Sequence, residues 1–516
     1  MSHAPAGRAD VIVVGGGVAA LRSAVAAAEA GARVLLLSKG RVGKSGCSAQ
    51  IERGIEYCAI NSGPYTTRGL ELLADEYLRT GMGINSRDVV ESFVTNLPAE
   101  HERLARLALP ILGAHRAHQR LRWTGQYQGV GLIGRRGFAR TLLGSLSLTA
   151  RKLGVTMRDR CQVVSIAREG QCARGVVAMD LTHGGLEWFA SPSIIIATGG
   201  AGNVFPFTTN PRDIVGDGLA LARRCGARLT NMEFYSYYPL SVGRMRRIYL
   251  IHPILTAGTL TDARGGTLRW KRTRDGDAVD HLLSVRDACR WIEKASRRGS
   301  GTAGGEVRWD GRRVPARTLE ARIPFTCGLF RRAGIDLKRD SIPMTIHAHQ
   351  AIGRIEIDAL GRTRINGLFA AGEVAAGLHG ALRLNGSGIT AGLVLGAVAG
   401  RTAAAYARGS DLNGANPDVE NPGGRDRIDG PRLRRIHARV QSAMGPVLVV
   451  RREDDLQRAR RTMRAAIEEV EATRFDPSIP SLASLREDVR ASAEAAAVMV
   501  EHSLLRRKPL GFFLPH

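Results

Sequence analysis

The chain has 516 residues, 44% of them hydrophobic, with 61 glycines and a formal net charge of +26. That is more than one ordinary domain and suits a loop-rich α/β enzyme with a sizeable core. The charge is nearly all arginine, scattered along the chain, with lysine at only seven positions and aromatics at 5%; without a basic arm or stacking aromatics, nucleic acid is not the expected partner. Seven dispersed cysteines with no C-x-x-C pair argue against a disulfide framework, a structural zinc site or an iron–sulfur cluster. The opening MSHAPAGRAD lacks the apolar core of a signal peptide. The most apolar run, Ile389 to Ala399, is too short to span a bilayer, so the cytoplasm is the expected compartment.

Ala9 to Gly40 is the most informative stretch. Val11 to Val14 reads as a buried strand, followed by Gly15, Gly17 and Ala20 in a G-x-G-x-x-G/A turn, an alanine-rich helix, and a second strand from Arg33 to Leu37. Gly15 permits the tight turn, Gly17 lets the backbone approach a pyrophosphate, and Ala20 lets helix and strand pack closely. The helix N-terminus then presents free N–H groups to phosphate. The second strand ends in Ser38-Lys39, not in the acid that grips an NAD ribose. A polar segment, Arg41 to Ile55, leads into helical patterning to about Leu109. Gln162 to Ile166 and Gly175 to Met179 read as strands of a smaller sheet, and Ser193 to Thr198 as another apolar strand stopped by Gly199-Gly200. From Ala227 to Ser341 the pattern loosens into what reads as an inserted lobe. Nucleotide-domain character returns at Gly367 to Glu373, and the Gly/Ala-rich Ser387 to Gly400 reads as a closely packed helix. A linker is expected over 411–431, and charged helices from 432 to the end at 516.

VVGGGVAALRSA, SIIIATGGAGNVF with TTNP and GDG, NMEF, RGG, HAHQAIG, GLFAAGE and HGALRLNGSG follow one another along the chain. In that order they resemble the flavoprotein subunits of succinate dehydrogenase and fumarate reductase and their soluble relative L-aspartate oxidase. The resemblance implies an α/β fold. An FAD-binding Rossmann-like domain of the glutathione-reductase type (1–226 and 342–410) would carry an inserted α+β capping domain (227–341) and a C-terminal helical domain (432–516). The implied cofactor is FAD. Gly15, Gly17 and Ala20 would meet its pyrophosphate, Ser38 and Lys39 would lie near the adenosine, and Val163 would offer its backbone to adenine. Ser45 and Gly46 would sit beside the flavin, with Ala197, Thr198 and Gly199 at a strand end and Asp217 in GDG. Glu373 would bond the ribityl chain, and Ser387, Gly388 and Ile389 would approach the pyrimidine edge. The family's membrane-bound enzymes carry a flavin-linking histidine where this chain has Gly46, so non-covalent FAD and the soluble branch are implied. The ending SLLRRKPLGFF resembles that of L-aspartate oxidase.

The family moves a hydride between a substrate carbon and flavin N5, with a proton moving at the neighbouring atom. Arg383 matches its carboxylate-clamping arginine, whose planar fork suits bidentate binding. His349 matches its substrate histidine, in a stretch where H-Y-T-M-G-G is replaced by His349-Gln350-Ala351-Ile352-Gly353-Arg354. Thr261 and Asp262 match a Thr-Glu pair, and Arg264 the proton-relaying arginine, acting as a transient relay refilled by Asp262 or water. The His347/His349 triplet has no third ligand near it in sequence, so no metal is expected.

Two departures bear on substrate. Tyr238 stands where the family has a second substrate histidine, and Trp123 to Gly129 lacks the acid that L-aspartate oxidases place beside the amine. The expected partner is a small carboxylate-bearing substrate, with oxygen, quinone or fumarate as electron acceptor and the oligomeric state open. The leading reading is an L-aspartate oxidase-like oxidase or dehydrogenase. The alternatives are a fumarate reductase-like enoate reductase and a flavin-binding partner subunit that has lost catalysis.

Overall fold

The computed structural model describes residues 5–51, 58–62, 65–106, 119–120, 131–135, 137–242, 248–250, 252–268, 270, 278–298, 307–384, 386–410, 424–427 and 429–515. The loop Trp123 to Gly129 and most of the expected linker lie outside the described residues. In chain order the elements used below begin with β1 (Val11–Val14), α1 (Val18–Glu29), β2 (Val34–Leu37), α2 (Gly46–Gln50), α3 (Thr67–Gly81), α4 (Arg87–Arg106) and α5 (Phe138–Lys152). Then come β3 (Thr156–Arg158), β4 (Cys161–Glu169), β5 (Cys172–Asp180), β6 (Leu186–Ala190), β7 (Ser193–Ile196), α6 (Asp217–Arg224), β8 (Tyr235–Ser241) and β9 (Thr259–Asp262). The rest are α7 (Ala278–Arg298), β10 (Val307–Asp310), β11 (Ser341–Ala351), β12 (Leu368–Ala370), α8 (Gly388–Arg408), α9 (Gly430–Met444), α10 (Glu453–Ala472) and α11 (Pro480–Leu505).

A parallel five-stranded sheet, ordered β12-β7-β1-β2-β3, forms the centre. All residues of β1, β2 and β7 are buried, as continuous apolar runs in a sheet covered on both faces should be. One cover is α1 against α8. The small-residue pattern of α8 has a direct cause: Cβ atoms on Gly392 and Gly396 would press against Val18 and Ala19, and one on Gly400 would overlap the Ser23 carbonyl. Although α8 is long and apolar enough to cross a membrane, 15 of its residues are buried in this packing. A buried guanidinium, Arg22 of α1, donates from Nη2 to Glu100 of α4 at 2.9 Å, which satisfies both charges beneath the sheet.

The smaller sheet joins β6, β5 and β4 in antiparallel order, with Gly7–Arg8 on its edge. A third sheet, ordered β8-β11-β10-β9, belongs to the inserted lobe. Its long strand β11 runs to Ala351, ten residues beyond the composition change at Ser341. The C-terminal helices begin with an Asp429 N-cap on α9, which accepts from Arg432 N at 3.2 Å, and α10 opens on Glu453, Asp454 and Asp455, favourable at the positive end of a helix.

Candidate active site

The turn after β1 is built for a phosphate. Gly15 sits at φ +135°, where L side chains are strained, and a Cβ there would overlap the Ala197 carbonyl oxygen of β7's exit. Gly17 caps α1 without any side-chain bond, and Ala20 is fully buried behind it. The α1 N-terminus is thereby left bare on its outer side, apart from Val18 N donating to Ser48 Oγ at 3.3 Å. At the adenosine end, Ser38 is buried and Val163 is followed by a bulge in the β4–β5 ladder, which breaks regular pairing there. Lys39 lies between Asp217 Oδ2 (3.2 Å) and Asp488 Oδ1 (3.0 Å), and Gln162 Nε2 also donates to Asp488 at 3.0 Å. Burial opposes the ammonium charge, but the two carboxylates outweigh it and hold Lys39 protonated.

Further along, Ser45 caps α2 and donates to Arg41 O at 2.8 Å, while Gly46 N donates to Asp213 Oδ2 at 3.1 Å. Ala197, Thr198 and Gly199 follow β7 directly, and the buried Thr198 Oγ1 has no partner among the described residues. Glu373 accepts from Ala351 N at 3.0 Å; burial raises its carboxyl, with Arg354 and Arg383 opposing. Ser387 caps α8, fully buried, with Gly388 and Ile389 opening the helix. Bare helix starts, close glycine backbones and unsatisfied buried hydroxyls along one track fit an extended dinucleotide. These residues therefore suit FAD.

The substrate side is made by two antiparallel strands. In β8 a bulge between Ser236 and Tyr237 re-aims the chain, so Tyr235 and Tyr237 pack on Phe205 while Tyr238 turns to His349 of β11. The Tyr238 and His349 rings meet edge-to-face at 5.2 Å. Thr209 Oγ1 lies 3.0 Å from His349 Nδ1, and Asn210 Nδ2 donates to the His349 carbonyl at 2.9 Å, so TTNP fixes this histidine. Burial, with Arg383 adding to it, lowers the His349 pKa to about 3, leaving a neutral ring at physiological pH. Arg383 is 7% exposed; a Cβ on Gly388 would stand 3.4 Å from its Nη2 and 3.4 Å from Gln350 Oε1. His349, Tyr238, Arg383, Glu373 and the start of α8 thus converge.

Thr261, Asp262 and Arg264 do not join them. They form an exposed hairpin on β9, the outer strand of the lobe sheet. Asp262 Oδ1 accepts from Arg264 N (3.0 Å) and Gly266 N (2.7 Å), so its carboxylate closes its own turn. Thr261 pairs through Arg308 with Pro343, six residues along β11 from His349, or about 20 Å at ~3.3 Å per residue. The Arg264-Gly265-Gly266 stretch is a turn, and a turn shares its residue types with a glycine-rich catalytic loop.

Four residues enter that sequence reasoning passed over. Thr209 holds His349. Arg286 of α7 donates to Asp287 Oδ1 (2.8 and 3.1 Å) and to Gly511 O (3.4 Å), and Gly511 packs on the Ala381 carbonyl, two residues before Arg383. Arg354 is 3% exposed, bonded to the Ala375 carbonyl at 3.1 Å and to that of Ala351; burial lowers its pKa to about 10 despite Glu373. His379 is buried on the same loop as Arg383. Only the tertiary structure gives these their surroundings, although the HGALR string already holds His379.

The model of the FAD binding domain family matches residues 10–389. The chain is 26% identical to the flavoprotein-like chain of the fumarate reductase (CoM/CoB) of Methanothermobacter marburgensis, over 97% of this chain and 92% of that one. It is 31% identical to L-aspartate oxidase of Streptomyces coelicolor, over 79% of this chain and 71% of that one. Among solved structures, Mycobacterium smegmatis Sdh1 in complex with UQ1 superposes with a TM-score of 0.84 at 23% identity, covering 98% of this chain and 88% of the other. E. coli quinol fumarate reductase gives 0.81 at 24%, covering 99% and 91%. With its dinucleotide track and convergent buried residues, the chain belongs to the FAD-binding family of fumarate reductases and L-aspartate oxidases and is an FAD-dependent oxidoreductase.

Proposed function

We propose that this protein moves a hydride between a carboxylate-bearing substrate and non-covalently held FAD, in the manner of an L-aspartate oxidase or dehydrogenase. The observation that carries this reading is the buried Arg383 guanidinium set beside the α8 start and the neutral His349. FAD, when bound, supplies the hydride acceptor. Arg383 holds a substrate carboxylate by its fork, and positioning of that kind supplies much of a rate. His349, fixed by Thr209, offers a neutral donor or acceptor without adding charge. Tyr238 contributes an aromatic wall where a cation would be needed to grip a second carboxylate. Gly46 brings no side chain that could bond covalently to the flavin. Arg286, with Asp287 at 2.8 Å to refill it, takes the proton-relay role better than Arg264.

A second reading is a fumarate reductase-like enoate reductase. It is favoured by the match to the Methanothermobacter fumarate reductase over nearly the whole of both chains, whereas the L-aspartate oxidases align over about four-fifths of this one. An anaerobic titration of the FAD-loaded protein with L-aspartate, succinate and related carboxylates separates the two. Bleaching of the flavin by one of them, reversed by air, supports the oxidase reading. Reoxidation of the chemically reduced flavin by fumarate, with no carboxylate bleaching it, supports the reductase. Neither response would leave only the reading of a flavin-binding partner without catalysis.

A further inference from the structure

His379 has an unusual environment for a histidine. It is 4% exposed, and neither Nδ1 nor Nε2 has a hydrogen-bond partner among the described residues. A neutral imidazole carries one N–H and one acceptor nitrogen, and burying both unpaired costs about 1–3 kcal/mol for each group. Folded proteins seldom leave such groups bare, so each instance calls for an explanation. Here the ring is also held in place. It stacks on Tyr77 of α3 at 5.8 Å and 29°. The following Gly380 lies so close to Gly81 that any Cβ would overlap the Gly81 carbonyl, and Ala381 N donates to that same oxygen at 3.0 Å. Four residues on, the same loop delivers Arg383.

The groups facing His379 limit what it can meet. Besides Tyr77, these are the guanidiniums of Arg354 and Arg383, which together with burial keep the ring neutral. Arg354 is committed to the carbonyls of Ala375 and Ala351. The free N–H therefore lies in a positive surrounding beside the Arg383 fork, where an anionic oxygen is the complementary acceptor. Tyr238 leaves the opposite wall of the site uncharged. From this we propose that His379 is a substrate-binding residue: its N–H donates to an oxygen of the carboxylate that Arg383 holds, giving that carboxylate a neutral second donor. This rests on the carboxylate reading of the site.

The test uses the FAD-loaded protein and malonate, which has no neighbouring carbon pair to dehydrogenate, with acetate as the single-carboxylate probe. Binding is followed by perturbation of the oxidised-flavin absorbance. His379→Leu is expected to weaken both probes by about 10- to 100-fold, the worth of a hydrogen bond to a charged acceptor. His379→Gln, which keeps an N–H, is expected to recover most of that loss, and FAD affinity and the resting spectrum stay as in the wild type. Equal probe affinity in wild type and His379→Leu overturns the assignment. So does a changed FAD affinity or resting spectrum in His379→Leu with probe binding intact, which would set the bare nitrogens against the flavin. If neither probe perturbs the wild-type flavin, the carboxylate reading itself falls, and the His379 assignment with it.

Discussion

Acidification should destabilise this protein through His349 in a calculable way. In the fold its pKa is about 3, against about 6.5 for an unfolded histidine. Between those values the unfolded chain binds more protons than the folded one, so stability is present above pH 6.5 and is lost as the pH falls. From pH 7 to pH 5 the loss works out at about 2 kcal/mol for this one side chain. Other groups act in the same window. His379 adds to the loss, while the raised carboxyls of Glu373, Glu100 and Glu494 act against it, because their folded forms hold protons more tightly. The wild-type curve alone therefore isolates nothing. The informative quantity is the difference in pH dependence between wild type and His349→Gln, measured as urea unfolding of FAD-saturated protein at pH 7, 6 and 5. The wild type should lose about 2 kcal/mol more than the variant across that span. Parallel curves would mean that His349 is not held neutral by burial, and the electrostatic description of the site would fail.

Gly15→Val should yield protein with little bound FAD, its affinity lowered by at least about 100-fold, because the side chain meets both a positive φ and the Ala197 carbonyl; flavin content per chain checks this, and a fully yellow variant refutes it. Arg383→Ala should cut turnover by about 10²–10³-fold while FAD stays bound, as loss of one preorganised charge-stabilising group does; unchanged turnover would remove the clamp. Lys39→Met should cost about 3–5 kcal/mol by stranding the Asp217 and Asp488 carboxylates, with part regained in Lys39→Met/Asp488→Leu. Thermal midpoints of the two variants decide it, and a neutral single variant would show that the cluster is hydrated. Arg264→Ala should leave turnover within about twofold, whereas Arg286→Ala should lower it at least tenfold, the low end of what general acid–base groups contribute. The reverse order in steady-state rates would restore the hairpin to the site.

The local parts of this protein could be read from its residues. The unit from Val11 to Leu37 shows itself because a buried strand, a glycine turn and an alanine helix are each specified by neighbours within a few positions. The Gly/Ala face of α8 was legible as a close-packing helix, though not that its partner was α1. The FAD track follows the same rule, since strand ends and helix starts are local features whose exposed N–H groups do the binding. The substrate side obeys a different one. His349 and Tyr238 meet only because β8 and β11 pair antiparallel with a bulge between Ser236 and Tyr237. Lys39 finds Asp488 across 449 residues. Arg264-Gly265-Gly266 has the residues of a catalytic loop, yet hydrogen bonding to Asp262 makes it an exposed turn. His379 stands in plain view in the chain, but its lack of partners exists only once the loop is clamped against Gly81. Backbone conformation is set by near neighbours and can be inferred from them. Burial, charge pairing and an unsatisfied hydrogen bond depend on segments brought together from far apart in the chain, and only the tertiary structure decides those.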